Sequence, residues 1–221
     1  MIKKIQLLLI FSIVAMSAFT QNLPIKEWAA SAHNKPLIFY ISGDGGLNKF
    51  SNDLCSSLNS KGFDVDALDA KSYFWSKKTP QQTTTDVSNY LSKKIAGRQN
   101  KEIVLIGYSF GADVLPFILN RLSNDLTNKI IASFLMASSG STDFEIHWSD
   151  MFGPGKRRSM DVLTEVNKIS NDKIVIINSS DDQGLNAKKV TTKNHLLEIL
   201  PGGHHFDGDI EEVTKAILKY I

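Results

Sequence analysis

Glu102-Ile103-Val104-Leu105-Ile106-Gly107-Tyr108-Ser109-Phe110-Gly111 is the stretch that decides the fold. Its apolar run reads as a buried strand, and Phe110–Leu122 behind it reads as a helix. Between them stands Gly-x-Ser-x-Gly. Two glycines let the chain turn sharply from strand to helix and leave a serine hydroxyl exposed above the sheet, the setting a nucleophile elbow requires. The helix N-terminus behind Ser109 adds positive potential that favours a developing oxyanion. The competing reading is a plain strand-to-helix turn in which the serine caps the helix.

Working outward, short apolar runs alternate with amphipathic stretches. Pro36–Ile41, Phe63–Leu68, Glu102–Ile106, Lys129–Met136, Lys173–Ile177 and His195–Leu200 read as strands. Asn48–Lys61 carries Phe50, Leu54 and Leu58 at helical spacing, and Val87, Leu91 and Ile95 repeat it after Thr79-Pro80, a favoured helix opening. Asp209–Ile221 closes the chain as a helix. Such alternation implies parallel crossovers and an α/β fold with helices on both faces of the sheet. The expectation is a mostly parallel, doubly covered sheet of about six strands, with a minimal lid or none. Ser138–Arg158 is the long irregular connection, and such loops in compact domains carry function or motion.

A serine needs a base to become a nucleophile. The loop after the last strand, Pro201-Gly-Gly-His204-His205-Phe206-Asp207, offers two histidines. Hydrolases of this kind commonly place the histidine just before an aromatic residue, which favours His205 over His204. Asn178-Ser179-Ser180-Asp181-Asp182 follows the penultimate strand, and the spacing from Ser179 favours Asp182 over Asp181 as the acid that orients the base. The order Ser109, Asp182, His205 is the α/β-hydrolase order. An oxyanion hole needs two backbone N–H groups: Phe110 would supply one, and Asp44 or Gly45 in the loop Ser42-Gly-Asp-Gly-Gly46 the other. That glycine loop lacks both the Walker Lys-Ser/Thr pair and the dinucleotide spacing, so no nucleotide cofactor is expected. Tyr73 and Trp75, in an aromatic cluster after the second strand, are candidates to line a pocket, with core packing as the alternative. Asp113, one turn into the helix behind Ser109, and Glu145, in the long connection, are candidate pocket carboxylates.

The chain has 221 residues, suited to one domain, with an ordinary globular balance of 42% hydrophobic and 22% charged residues. A single cysteine, Cys55, excludes an internal disulfide framework and a cysteine-rich zinc site, and no metal is expected. A formal net charge of +2 lacks the basic excess of a nucleic-acid binder. Met1–Lys4 carries two lysines and Ile5–Phe19 is nearly all apolar. As a helix its fifteen residues would rise about 22 Å, short of a bilayer core of about 30 Å. Residues 1–20 therefore read as a secretory signal peptide, with 21–221 as a single domain destined for the periplasm.

Taken together, Ser42-Gly-Asp-Gly-Gly46, Tyr73-Phe-Trp75 with Lys78-Thr-Pro80, Gly107-Tyr-Ser-Phe-Gly-Ala-Asp-Val-Leu-Pro-Phe117, Phe144-Glu-Ile146 and Pro201-Gly-Gly-His-His-Phe-Asp207 resemble the bacterial virulence protein family VirJ/AcvB. The resemblance covers nearly all of residues 21–221. It implies a periplasmic α/β hydrolase acting on lysyl-phosphatidylglycerol, with some members tied to type IV secretion and virulence. It further implies a lipid or small-molecule ester as partner, with transient contact at a membrane surface. Two other readings stand beside it: a generic esterase or thioesterase, and a periplasmic binding module that has no use for the triad.

Overall fold

The computed structural model describes residues 23–147, 157–170, 173–182 and 184–221. The expected signal peptide, residues 1–20, lies outside the described residues, as does part of the connection after Ser138. Among the described residues no helix is long and apolar enough to cross a membrane.

One sheet is built from seven strands: β1 (Ile25–Trp28), β2 (Leu37–Ile41), β3 (Asp64–Leu68), β4 (Ile103–Tyr108), β5 (Ile130–Met136), β8 (Ile174–Ser179) and β9 (His195–Leu200). Their order across it is β1-β3-β2-β4-β5-β8-β9. Every pairing is parallel except that of β1 with β3. The six expected strands are all present, and β1 is the addition. Its sequence Ile-Lys-Glu-Trp is short and half exposed, as an edge strand can be, and so shows no buried run. A two-stranded ribbon, β6 (Ser141–Thr142) with β7 (Met160–Asp161), lies beside the main sheet.

Alternation along each central strand divides the core. Leu37, Phe39 and Ile41 face one side, where they meet α3 (Pro80–Ala96), α4 (Phe110–Leu119) and α6 (Val162–Val166). Ile38 and Tyr40 face the other, against α1 (Lys49–Ser60) and α7 (Ile210–Leu218). Two single-turn helices, α2 (Ala70–Tyr73) and α5 (Asn124–Thr127), lie in the connections that lead into α3 and β5. Helix α3 begins where Thr79-Pro80 predicts it. Thr79 Oγ1 accepts from Gln82 N, and the Gln82 side chain accepts from Thr79 N, closing a capping box. Helix α4 is apolar except for Asp113 and buried along most of its length, with Pro116 inside it; it ends at Leu119, three residues short of the sequence expectation.

The contact that fixes everything above the sheet is backbone on backbone. A Cβ on Gly107 would sit 2.5 Å from the Gly111 carbonyl oxygen, and one on Gly111 would sit 2.1 Å from the carbonyl oxygen of Ile41. Only glycine lets α4 start this close to the ends of β2 and β4. Gly111→Ala is therefore expected to lower the unfolding free energy by at least about 1–3 kcal/mol, the usual cost of forcing atoms into a filled space. Chemical denaturation measures it; a midpoint equal to wild type would mean that this approach relaxes freely.

Candidate active site

Ser109 stands at the tip of the turn between β4 and α4 with φ 53° and ψ −118°. This is a left-handed conformation that a residue with a Cβ adopts only when its surroundings impose it, at a cost of about 1–3 kcal/mol. Here the Ser109 N–H donates to the Met136 carbonyl at 2.8 Å, and its carbonyl accepts from Asp113 N at 3.1 Å. The result is a hydroxyl held clear of the helix it precedes, with no capping bond from the side chain. A side-chain cap of α4 is thus not its role.

His204 Nε2 lies 2.8 Å from Ser109 Oγ, and His204 Nδ1 lies 2.6 Å from Asp182 Oδ2. A serine, an imidazole and a carboxylate thus form one continuous hydrogen-bonded chain. The expectation that His205 would face the serine is corrected: His204 does. Phe206 explains the exchange. It is 2% exposed, sunk into the core between the sheet and the α1/α7 layer. With Phe206 buried, His205 rests at the surface against the rings of Phe50 and Tyr108, at centroid distances of 5.9 and 6.1 Å. His204 is left facing the opening. Tyr108, the residue before the serine, secures the arrangement: its phenol donates to the His204 carbonyl at 3.1 Å and lies 3.2 Å from His205 Nδ1. Burial, and then the neighbouring His204, push the His205 pKa below its ordinary value.

Asp182 and Asp181 are separated by the turn after β8. Asp181 is turned away, its carboxylate accepting from Ser180 Oγ at 2.7 Å and its N–H donating to the Gly202 carbonyl at 3.1 Å. The strand β8 runs on to Ser179, so Asn178 and Ser179 are ladder residues and the turn begins at Ser180.

A cavity of about 420 Å³ opens beside the serine. Ser109, Phe110, Asp44, Asp113 and Glu145 all line it. Phe110 occupies the first position of α4, and Asp44 follows the close approach of Gly43, where a Cβ would lie 3.2 Å from Ser109 Cβ. Gly45, in the same turn, would place a Cβ near Asn48 rather than near the serine. Tyr73 and Trp75 do not line the cavity, which corrects the expectation for both. The short helix α2, capped by Asp69, turns Tyr73 and Phe74 into the core, where the Tyr73 phenol donates to Asp86 Oδ2 at 2.6 Å. Trp75 is thrown outward, 49% exposed.

The far wall of the cavity was not read residue by residue from the sequence. Ser139, Gly140, Ser141, Thr142, Asp143, Ile146, His147, Arg157 and Arg158 form it. A signal was available: Phe144 and Ile146 are apolar and buried, while Asp143, Glu145 and His147 alternate with them. That period of two puts the polar set on one side. Asp143, Glu145 and His147 are also, among the described residues, the group whose donor atoms lie close enough for a metal, within 4.8 Å of one another. They are satisfied without one: His147 Nε2 lies 2.8 Å from Asp143 Oδ2, and Lys77 Nζ lies 3.7 Å from Glu145 Oε2. Asp113 is 3% exposed, and burial pushes its pKa up to about 6 against the pull of hydrogen bonds from Ser138, Ser139 and Gly140.

Comparison with known proteins agrees with this geometry. Residues 36–221 match the family model described as bacterial virulence protein (VirJ), and the chain belongs to that family. No curated protein sequence matches it. Among solved structures it is similar to Est1E from Butyrivibrio proteoclasticus, at 16% identity and TM-score 0.64, with 90% of this chain and 94% of that one covered. It is also similar to a lipase-esterase related protein from Clostridium acetobutylicum, at 15% identity and TM-score 0.64, covering 89% and 99%. MenH from S. aureus gives 14% identity and TM-score 0.64, covering 89% and 97%. At such identities the likeness fixes the fold, which is that of the α/β hydrolases.

The displaced histidine gives a direct check. In an NMR titration the His205 imidazole should protonate below the ordinary value of about 6.5, because burial disfavours its charged form. A midpoint at or above that value would contradict the packing of His205 against Phe50, Tyr108 and His204.

Proposed function

We propose that this VirJ-family chain is a serine hydrolase that cleaves a carboxylic ester. One observation carries the reading: the unbroken chain from Ser109 Oγ through His204 to Asp182, at 2.8 and 2.6 Å, on an elbow that opens into a cavity. Ser109 Oγ attacks the ester carbonyl while His204 Nε2 takes its proton. The same imidazole then protonates the leaving alcohol, and a water activated by His204 releases the acyl group from Ser109. Asp182 fixes the tautomer, with the proton on Nδ1, and stabilises the imidazolium. The Phe110 N–H, with an N–H from the Asp44–Gly45 segment, receives the oxyanion.

The substrate we favour is an aminoacyl ester of phosphatidylglycerol, lysyl-phosphatidylglycerol above all, met at the outer surface of the inner membrane after export directed by residues 1–20. The family resemblance motivates it, and the charge of the cavity supports it. Carboxylates of Asp44, Asp143 and Glu145 suit an ammonium group, and the guanidiniums of Arg157 and Arg158 on the same wall suit a phosphodiester.

Three measurements test this. A fluorophosphonate probe should label Ser109, and Ser109→Ala should abolish labelling. His204→Ala should lower kcat by about 10⁴–10⁶-fold, as loss of the base does in such triads, whereas His205→Ala should cost less than about tenfold, the scale of a lost neutral hydrogen bond. Comparable losses from both histidines would overturn the assignment of the base. Vesicles containing lysyl-phosphatidylglycerol should release free lysine with wild-type protein and not with Ser109→Ala. Hydrolysis of p-nitrophenyl acetate without release of lysine would keep the hydrolase and remove the lipid.

A further inference from the structure

The carboxylate of Asp113 belongs to a circuit of contacts that returns to the nucleophile. Its Oδ1 accepts from Ser138 Oγ at 2.6 Å and from Gly140 N at 3.1 Å, and its Oδ2 accepts from Ser139 Oγ at 2.5 Å. The turn it grips follows β5 through Ala137, a non-glycine residue at φ 50°. The same turn also holds the segment carrying the acid. The Ser138 carbonyl accepts from Leu185 N at 2.8 Å, and Gly184 lies so close that a Cβ there would meet the Ser138 oxygen at 3.0 Å. Asn178 Nδ2 braces that segment by donating to the Leu185 carbonyl at 3.0 Å. On its other side the acid turn is tied to the end of β9 and the loop beyond it, through Ser180 N to Leu200 O and Asp181 N to Gly202 O. Asp182 is thus suspended between two anchors. One is the loop that carries His204; the other is Ser138, which Asp113 holds.

Asp113 is also one helical turn from Ser109, its N–H donating to the Ser109 carbonyl at 3.1 Å. A single residue therefore links the backbone of the nucleophile to the turn that supports the acid. It borders the same cavity as Asp44, Asp143 and Glu145, but it is buried and gripped by three donors of one turn, whereas they are half-buried. A buried carboxylate is costly to keep unless its lone pairs are used, and here three donors from one turn use them.

We infer that Asp113 is a positioning residue that sets the distance between Asp182 and His204 by holding the 138–140 turn. The inference rests on the hydrolase reading above and adds a second acid to it, one that touches no reacting atom. Misplacing a catalytic group by about 1 Å costs on the order of 10²-fold in rate, and that is the loss expected when the turn is released.

The test uses the whole protein, with p-nitrophenyl acetate as the probe substrate. The low-field proton resonance of the His204 Nδ1–H bonded to Asp182 is the structural readout. Asp113→Ala should broaden or shift that resonance and lower kcat by about 10²-fold, with little change in KM for this neutral ester. Asp113→Asn keeps an acceptor for Ser138 and Gly140, so it should restore most of both; it also covers the case in which the alanine variant fails to fold. Val65→Ala, in β3 on the opposite core layer, supplies a control that loses stability without touching the circuit, and it should keep the resonance and kcat. If Asp113→Ala and Asp113→Asn both keep the wild-type resonance and kcat, the inference is overturned. A rise in KM alone, confined to cationic esters, would overturn it equally, for that would make Asp113 a substrate contact. Failure of the underlying hydrolase reading would look different, since wild-type protein would itself neither turn over the ester nor react with a fluorophosphonate.

Discussion

The close approach of α4 to the ends of β2 and β4 is the constraint on which the rest depends. With the Gly111 backbone lying where a Cβ would meet the Ile41 oxygen at 2.1 Å, the chain has no room to leave β4 by a gradual turn. It must reverse within one residue, and that residue takes φ 53°. The strain at Ser109 is sustained because α4 is buried, with Val114, Leu115 and Ile118 almost wholly hidden. Burying three such side chains contributes several times the cost of one strained residue, at about 1.5–3 kcal/mol each. The hydroxyl is exposed because the helix behind it is sunk.

Parallel strands do the remaining placement. In a parallel sheet the C-terminal ends of successive strands lie at one edge, and loops from that edge meet. Here β2 delivers Asp44, β4 delivers Ser109, β8 delivers Asp182 and β9 delivers His204. The ordering β2-β4-β5-β8-β9 puts β5 between nucleophile and acid, so the gap has to be bridged by the turn that leaves β5. Ser138, Ser139 and Gly140 make up that turn, and they are the groups that Asp113 holds. The buried carboxylate therefore holds the turn of the strand that separates Ser109 from Asp182.

How much of this was legible in the sequence depended on whether the determining contact was local. The central strands read clearly because double coverage makes them continuous apolar runs, as in Leu37–Ile41. The elbow read clearly because its glycines answer a steric need confined to a few residues. Asp182 was favoured over Asp181 by spacing from Ser179 read as a turn residue; Ser179 is instead the last residue of β8, and Asp182 is the carboxylate that meets His204. The choice between His204 and His205 was not local. It turns on where Phe206 goes, and Phe206 goes into a cluster with Phe50 and Val213, of which Phe50 is distant in the chain. A rule that places the base next to an aromatic residue has no means of telling which of two histidines faces the serine once that aromatic is buried. Tyr73 failed for a similar reason: Asp69 caps a four-residue helix that no hydrophobic period announces, and the cap decides which aromatic faces the core.

The wall opposite the serine follows a different logic from the triad. Residues 143–147 are fixed by Ile146 N donating to Phe74 O and Lys78 N donating to Phe144 O, at 3.0 Å each. Phe144 and Ile146 fill the core, and Phe144 meets Phe74 and Phe117 edge-on at 5.9 and 5.5 Å. Asp143, Glu145 and His147 alternate with them and line the cavity, with Ile146 touching both sides. Stability and specificity are thus assigned to opposite faces of one short segment. Exchanging Asp143, Glu145 or His147 would alter the charge presented to a substrate while leaving the aromatic contacts intact. Ser109, His204 and Asp182 allow no comparable freedom, because their side chains are bonded to one another in one chain. Within this fold, substrate preference can therefore change along the 143–147 wall far more readily than the chemistry can change at Ser109.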